Sequence, residues 1–399
     1  MEILQEDKNS IAIVVVGYNR LLPLRRLISS LLRADYGGTT VPFVISIDCS
    51  GDQEVYNYAL NIKWPYGNKY VNIQEKRLGL KDHILQCGDL SQQFKAIILL
   101  EDDIFVSEQF YNYACSAINF YQDDERVGGF SLFLNEMWGA DVPVAYYHDG
   151  SDVFLRQLPA SWGECWTCEQ WQKFRQWYKD FRDEDFAKVD VPEYMKGWDK
   201  SWTKYFAAYL VETNRYLVYP HVSHTTCFSD PGEHYNLMVM LGQSNLQIGK
   251  RNYCFRPFDE MTRYDVYGIN CELYAWLGMS EKDLLIDWYG SNSNLRKCRY
   301  ILTPIKLPFK IERTFGMYLH PIELNVKYSM EGDELKLYDT VDGSCNIYGK
   351  SLSVASANYY LRSFNLKLLV KYVISSYVTK IMRKLYRVLS FWSKGVFHT

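Results

Sequence analysis

Three consecutive carboxylates, Glu101, Asp102 and Asp103, follow directly after the apolar run "AIILL". Like charges this close repel each other, and a buried strand gains nothing by ending in unpaired acids. Acids at a strand's end suit a hard divalent cation, which takes a few protein oxygens and leaves its other positions to water and phosphate. Because side chains alternate along a strand, we predict that Glu101 and Asp103 point one way and Asp102 the other. The alternative is a solvated loop whose acids cap the next helix.

Two more polar residues follow short apolar runs. Arg20 comes after "IAIVVVGYN", and Asp48 comes after "FVISI". The planar fork of Arg20 suits a phosphate, although a surface arginine is the plain alternative. Asp48 is suited to accept a hydrogen bond from a nucleobase or ribose, or else to cap a helix. In a parallel sheet these strand ends share one edge, where ligands bind.

Apolar runs alternate with helical patterns through the first third of the chain. This alternation indicates βαβ units and a mostly parallel sheet with both faces covered by helices, which is an α/β fold. A dinucleotide or P-loop site is not indicated, because the sequence contains neither GxGxxG nor a Walker A motif. The strands are predicted at 11–16, 43–47, 69–74 and 97–100, and the helices at 22–32, at 81–87 and from a Ser107 cap to about 121.

The later segments are less regular. Residues 151–240 are rich in Trp and are predicted to be helical with loops, and 250–340 to be irregular with a short strand near 334–338. The net charge of -3 argues against a general nucleic-acid binder. The N-terminus shows no signal peptide, so we expect a cytoplasmic protein with reduced cysteines.

The C-terminal tail, residues 343–399, is basic. It contains nine Lys or Arg and no Asp or Glu, so all 47 acidic residues lie in 1–342. Within 359–397 apolar residues recur at helical spacing between the basic ones. Such a basic amphipathic helix favours peripheral contact with an anionic membrane, on the inner face of the cytoplasmic membrane. The alternative is a helix that docks on the chain's own acidic body.

Several motifs together resemble the GT-A fold glycosyltransferases that use nucleotide-diphospho-sugars, most nearly the N-acetylglucosaminyltransferase I type and its bacterial family 2 relatives. The resemblance covers residues 9–240 and departs from the Golgi pattern at Lys200, which replaces an acid. The motifs occur in this order: "VVVGYNR", "ISIDCSGD", "IILLEDDIFVSEQFYNY", "WGECWTCEQW", "GWDKSW" and "LVYPHVSHTTCFSDPGEH".

The resemblance implies a donor site built on the strand ends. Asp103 matches the acid that coordinates Mn2+ (or Mg2+) together with the donor diphosphate. Asp102 and Glu101 match contacts to the donor's ribose and sugar. Asp48 matches a uracil-binding aspartate, and Arg20 matches a phosphate contact.

It also implies contacts farther along the chain. His83 matches a further nucleotide contact, and Trp162 belongs to a Trp-Gly-Trp motif that lines the donor-sugar pocket. That motif here reads Trp162-Gly163-Glu164, which implies an altered pocket.

The catalytic base that the resemblance implies is Asp199, within "GWDKSW". Inverting transfer needs such a base on the acceptor hydroxyl and an electrophilic clamp on the departing nucleotide. From the residues alone, a helix cap or a salt bridge with Lys204 is the favoured role for Asp199. His224 and His234 are candidates for the cleft lining, with a structural histidine as the alternative for each.

The domain organisation follows from these assignments. We predict a GT-A catalytic domain over 1–240, with a nucleotide-binding half at 9–135 and an acceptor and base half at 136–240. A C-terminal extension over 241–342 and the basic tail follow it.

The leading interpretation is a metal-dependent, inverting hexosyl- or N-acetylhexosaminyltransferase. It moves a sugar from a UDP-sugar to a hydroxyl of a glycan or lipid-linked oligosaccharide in bacterial surface polysaccharide synthesis. A non-catalytic nucleotide- or carbohydrate-binding module and a sugar-phosphate nucleotidyltransferase are the alternatives, and a retaining transferase stays open.

Overall fold

A mostly parallel sheet forms the centre of the molecule. The computed structural model describes residues 3–138, 142–198, 201–228, 230, 242–290, 292, 298–341, 359–361, 365, 367–368, 370–379 and 382. Within them, nine strands lie side by side in the order β13 (Arg263–Tyr264), β9 (Val153–Arg156), β11 (Tyr216–Pro220), β6 (Val127–Ser131), β10 (Glu164–Thr167), β4 (Ala96–Glu101), β1 (Ile11–Gly17), β2 (Phe43–Ile47) and β3 (Lys69–Ile73).

The direction of the strands decides where their ends meet. β4, β1, β2 and β3 are parallel neighbours. β10 is antiparallel to both β4 and β6, so β6 runs in the same direction as β4, and β11 is parallel to β6. The carboxyl ends of β1, β2, β4, β6 and β11 therefore share one edge, which we call the carboxyl edge.

Helices cover both faces of this sheet. On one face the apolar side chains of β1 pack with those of α1 (Leu21–Leu31), α2 (Gln53–Asn61) and α4 (Phe110–Tyr121). On the other face the alternate side chains of β1 pack with α3 (Leu80–Gly88), α5 (Cys168–Asp180) and α7 (Thr203–Glu212). Because every residue of β1 is buried, the strand is apolar throughout and does not alternate with polar residues.

Smaller sheets and helices complete the described part of the chain. β5 (Ile104–Val106) pairs with β12 (Thr225–Cys227), and β7 (Met137–Trp138) pairs with β8 (Val142–Pro143). A four-stranded sheet has the order β14 (Leu284–Ile286), β15 (Tyr300–Thr303), β17 (Leu335–Asp339) and β16 (Lys310–Phe315). The remaining α-helices are α6 (Glu193–Lys196), α8 (Glu272–Leu277) and α9 (Glu323–Lys327).

The α/β fold predicted from the sequence is confirmed, as are the alternating elements of the first third and the strand near 334–338. The prediction that Ser107 caps α4 is wrong. The helix begins at Phe110, and the Ser107 hydroxyl instead lies 3.4 Å from Nδ1 of His224. Tertiary contact with the β12 segment, where the Ser107 N–H donates to the His224 carbonyl at 2.8 Å, sets the backbone there.

The prediction of helices and loops for the Trp-rich middle misses three strands. Residues 151–240 contribute β9, β10 and β11 to the central sheet besides their helices. These strands have only four or five residues each, and β10 inserts antiparallel between β4 and β6. Strands this short lack a clear periodicity of their own, and pairing with distant strands decides their conformation.

Candidate active site

At the carboxyl edge, the side chain of Arg20 contacts two acids of the triplet. Nε of Arg20 lies 3.4 Å from Oδ2 of Asp102, and its Nη2 also bonds Oδ1 of that residue. Nη1 donates to Oδ2 of Asp103 at 3.1 Å. Two adjacent carboxylates therefore converge on one planar cation, although the chain separates them from Arg20 by more than eighty residues.

The alternation predicted for the triplet is wrong. β4 ends at Glu101, and Asp102 and Asp103 form a turn that leads into β5. In a turn the two-residue alternation of a strand no longer applies, so Asp102 and Asp103 reach the same guanidinium. We call Glu101–Asp103 the acidic turn.

Burial and neighbouring charges shift the pKa values of the groups at the acidic turn. Burial raises the pKa of Glu101 to about 8, with further contributions from the charges of Asp103 and Asp102. Burial likewise raises the pKa of Asp102 to about 6, although Arg20 opposes this shift. Burial on its own lowers the pKa of Arg20, but the carboxylates of Asp102 and Asp103 outweigh it and raise that pKa. Added positive charge at this turn is therefore favourable.

A second arginine and a third aspartate extend this network, and the sequence analysis did not single them out. Arg26, on α1, forms a salt bridge with both carboxylate oxygens of Asp230. The carbonyl of Asp230 accepts from Nη1 of Arg20 at 3.2 Å. Arg26 also lies 3.9 Å from the centre of the Phe228 ring, and the Phe228 N–H donates to the Asp103 carbonyl at 3.2 Å. The available signal was the position of Asp230 within "HTTCFSDPGEH".

Asp48 holds the loop that leads into α3. Its Oδ1 accepts from the N–H groups of Cys49 and Leu78 at 2.8 and 2.9 Å, and its Oδ2 from the N–H of Gly79 at 2.9 Å. Gly79 is the residue before α3, and its φ of 79° lies in the left-handed region that glycine adopts without strain. A carboxylate has about four acceptor positions, so one remains for a ligand.

His83 lies beneath this loop. It is only 2% exposed, and its Nε2 lies 2.8 Å from the hydroxyl of Ser46, on β2. Burial lowers its pKa, which favours the neutral imidazole. In the described structure His83 therefore supports Ser46 and does not reach the surface of the site.

Trp162 lies on the loop that crosses from β9 to β10. Its ring packs edge-on against Phe133 at 4.7 Å, and its carbonyl accepts from the Thr225 hydroxyl at 2.6 Å. In the same loop, Ser161 forms a side-chain hydrogen bond with Glu101, and the Ala160 N–H donates to Glu164. This loop is thus tied directly to the acidic turn.

Asp199 and His234, which the sequence predicts to be site residues, lie outside the described residues. The described neighbours of Asp199 differ in exposure, since Trp198 is 39% exposed and Trp202 is 2% exposed against Trp166. Lys204 lies 3.8 Å from Asp183 and 4.9 Å from the Phe186 ring centre. His224 is buried and stacks on Tyr113 at 4.4 Å.

The acidic turn fits a divalent cation of the Mn2+ or Mg2+ type. Among the residues that the structure describes, no group of three or more His, Cys, Asp or Glu is arranged to hold a metal by itself. Two carboxylates that already converge on one cationic group are, however, the donor set for an ion that takes its other ligands from water and phosphate. Asp102 and Asp103 are the residues that would hold it.

Comparison with known proteins leaves the family open. No protein-family model matches the chain, and no curated protein matches it. The solved structure of Staphylococcus aureus TarS 1–349 with UDP-GlcNAc is 15% identical, with a TM-score of 0.38, over 56% of this chain and 60% of that one. The mannosyltransferase PcManGT from Pyrobaculum calidifontis with GDP-Man and Mn2+ is 12% identical, with a TM-score of 0.36, over 57% and 59%.

The match thus spans about 60% of the length of those solved structures. At these identities and TM-scores, the likeness carries no inference about family or activity.

Proposed function

We propose that this chain is a metal-dependent, inverting glycosyltransferase that moves a sugar from a UDP-sugar to a hydroxyl of a glycan or lipid-linked oligosaccharide. The observation that carries the proposal is the convergence of Asp102 and Asp103 on the Arg20 guanidinium at the carboxyl edge. Ligands of parallel α/β sheets bind at this edge. Together with the order of the glycosyltransferase-like motifs, this convergence favours a nucleotide-diphosphate donor.

The acidic turn supplies the donor side of the reaction. A divalent ion bound there would offset the negative charge that develops on the diphosphate when the bond to the sugar breaks. Asp103, with Asp102 beside it, is proposed to hold that ion, and Asp102 and Glu101 are also proposed to contact the ribose and sugar. The side-chain hydrogen bond between Glu101 and Ser161 ties that carboxyl to the Trp162 loop, which supports its proposed place beside the donor sugar.

Other residues would bind the nucleotide and the sugar. The remaining acceptor position of Asp48 is proposed for the uracil, and the fork of Arg20 for a phosphate. Trp162 is proposed to line the donor-sugar pocket, because its loop is fixed to the acidic turn through Ser161. His83 acts through Ser46 in this proposal, and His234 is proposed as a further donor contact.

Asp199 is the proposed base. It takes the proton of the acceptor hydroxyl as that oxygen attacks the anomeric carbon, and the nucleotide diphosphate leaves from the opposite side. One displacement of this kind inverts the configuration at the anomeric carbon. The exposed Trp198 beside it offers an aromatic face on which an acceptor sugar would stack.

The proposed setting is the inner face of a bacterial cytoplasmic membrane, where lipid-linked acceptors are found. Within the described residues, no helix has the length and apolarity to cross a membrane. Residues 370–379 are helical and exposed throughout, which supports surface contact by the tail over a helix docked on the protein body.

The first test is isothermal titration of UDP with and without Mn2+, on the wild type and on Asp103→Ala. We expect binding that requires Mn2+ and that falls about a hundredfold or more in the variant, since the variant loses a ligand of the ion. Asp123→Ala, an exposed aspartate before β6 at the opposite edge, is the matched control and should bind like the wild type. A panel of UDP- and GDP-sugars with product analysis then tests for transfer.

Three outcomes would contradict the proposal. Failure of UDP and GDP to bind with or without Mn2+ would make the acidic turn a solvated strand end. Tight donor binding with no transfer in the presence of glycan acceptors would favour a binding module. Formation of a nucleotide-sugar from a sugar phosphate would favour a nucleotidyltransferase.

A further inference from the structure

Arg20 occupies the place at which a cation would meet the acidic turn. Its guanidinium bonds both carboxylate oxygens of Asp102 and Oδ2 of Asp103. The three side chains are 22%, 5% and 12% exposed, respectively. Screening by solvent is therefore weak, and this ion pair is stronger than an exposed one.

A divalent ion and this guanidinium compete for the same oxygens. Both oxygens of Asp102 and one of Asp103 already accept from Arg20, and a divalent ion bound to the same carboxylates would be repelled by the guanidinium beside it. A guanidinium stays charged at any physiological pH. Once displaced from the acidic turn, it needs another anion, because an unpaired buried charge is costly.

The nearby carboxylate of Asp230 is already paired with another arginine. Asp230, the next acid in the network, has both oxygens engaged by Arg26, and only its carbonyl faces Arg20. The stack of Arg26 on Phe228 holds that arrangement in place. A ligand with free anionic oxygens, such as a diphosphate, would therefore be a better replacement partner for Arg20 than Asp230.

We propose that Arg20 is an exchangeable counter-ion that makes metal binding at the acidic turn conditional on a nucleoside diphosphate. Without the nucleotide, Arg20 neutralises Asp102 and Asp103 and opposes the metal. When a diphosphate arrives, its oxygens take the guanidinium, the carboxylates pass to the metal, and the charge of every group stays compensated. This inference rests on the proposed function and adds the order in which its ligands bind.

The mechanism makes two affinities change in opposite directions when Arg20 is removed. In Arg20→Gln, Mn2+ alone should bind about tenfold more tightly or better, because its competitor is gone. UDP in saturating Mn2+ should bind about tenfold more weakly or worse, because its phosphate partner is gone. The factor by which Mn2+ and UDP raise each other's affinity, which is the same in both directions by linkage, should fall accordingly.

The experiment measures free Mn2+ by electron paramagnetic resonance and UDP by isothermal titration, on the full chain. Arg25→Gln is the matched control, since Arg25 is an exposed neighbour on α1 that stacks on Tyr58 and makes no contact with the acidic turn. Arg20→Lys keeps the charge but loses the fork, and should give intermediate values. Circular dichroism of each variant establishes that it is folded.

The results separate this inference from the proposed function. Tighter binding of Mn2+ and weaker binding of UDP by Arg20→Gln, with both affinities unchanged in Arg25→Gln, would support the exchange. Unchanged or weaker Mn2+ binding in folded Arg20→Gln, while the wild type still binds UDP with Mn2+, overturns the exchange and leaves the proposed function intact. Failure of the wild type to bind UDP and Mn2+ together overturns both.

Discussion

Asp48 illustrates how the surroundings of one side chain determine its role. The sequence places it after β2 and suits it to a helix cap or to a nucleobase contact. In the structure it accepts from three backbone N–H groups and so positions the start of α3. Removal of its oxygens would leave those N–H groups without partners. Each buried N–H group left in this way would lower the free energy of unfolding by roughly 1–3 kcal/mol. A structural role thus accompanies whatever ligand contact it makes.

His221 is a buried histidine at the carboxyl edge, one residue after β11. It stacks on His148 at 4.0 Å and against Phe154 at 4.9 Å, and neither ring nitrogen has a hydrogen-bond partner in the described part of the chain. Burial lowers its pKa to about 4, and the electrostatic interaction with His148 adds to this shift. The other charged groups that act on it are Asp149, Asp152 and Arg251.

The lowered pKa predicts a loss of stability in acid. An unfolded histidine with a pKa near 6.5 binds a proton before the folded one does, so the free energy of unfolding falls as the pH falls from about 6.5 towards 4. His221→Phe keeps the aromatic stack and removes this proton uptake. We expect its advantage over the wild type to grow by about 2 kcal/mol between pH 7.5 and pH 5.

Urea unfolding at the two pH values measures this advantage, and the pH 7.5 data serve as the internal control for effects of the phenyl ring itself. An advantage that is the same at both pH values would mean that His221 titrates in the folded protein as it does in the unfolded chain.

At the scale of elements, α3 and α5 set the position of the Asp48 side of the proposed site. α3 begins where Asp48 holds the chain and ends at Gly88, which lies against Trp171 of α5. The Trp171 ring is fully buried between Trp166 and Phe174, and its Nε1 donates to Asp89 at 2.8 Å. The two helices approach closely only because residue 88 has no side chain.

Gly88→Ala therefore tests packing against helix propensity. In an ordinary helix this change stabilises by about 0.5–1 kcal/mol. Here a Cβ would lie 2.0 Å from Cζ2 of Trp171, so we expect destabilisation by roughly 1–3 kcal/mol and weaker UDP binding as α3 shifts.

Chemical denaturation and UDP titration measure the two effects. Gly249→Ala is the control, since a Cβ there meets no atom within 4 Å and should leave both quantities unchanged. A stabilised Gly88→Ala protein would show that the two helices do not pack as described.

At the scale of the whole molecule, charge is divided between an acidic body and a basic tail. All acidic residues lie in 1–342, and the tail adds nine Lys or Arg. The described tail residues carry exposed apolar side chains beside exposed lysines. These apolar residues are Leu368, Val370, Tyr372, Val373, Ile374, Tyr377, Val378 and Met382. An apolar and basic surface of this kind suits an anionic lipid headgroup layer.

We expect the full chain to bind vesicles that contain phosphatidylglycerol and not vesicles of phosphatidylcholine alone. The double variant Lys367→Glu/Lys371→Glu should weaken this binding about tenfold or more, since each basic residue near an anionic surface contributes about 1 kcal/mol. Co-sedimentation over a salt series measures the affinity.

Lys8→Glu/Lys63→Glu makes the same charge change at exposed positions of the body and serves as the control. Equal binding to neutral vesicles, or equal loss in both double variants, would contradict a specific role for the tail.

The sequence by itself determined the alternating elements of the first third and the edge at which polar residues gather. Strands buried on both faces must be apolar throughout, and helices between them must be amphipathic, so both patterns are local and readable. The position of Arg20, Asp48 and the acidic triplet after their strands then follows from the parallel direction of the sheet.

Only the tertiary structure decided how these residues meet. The pairing of Arg20 with Asp102 and Asp103 and the salt bridge from Arg26 to Asp230 join residues that lie from 82 to 204 positions apart. The same holds for β9, β10 and β11, whose four or five residues become strands through pairing with distant neighbours. Contacts of this range leave no period in the sequence, because they depend on the packing of whole elements and not on the propensity of a segment.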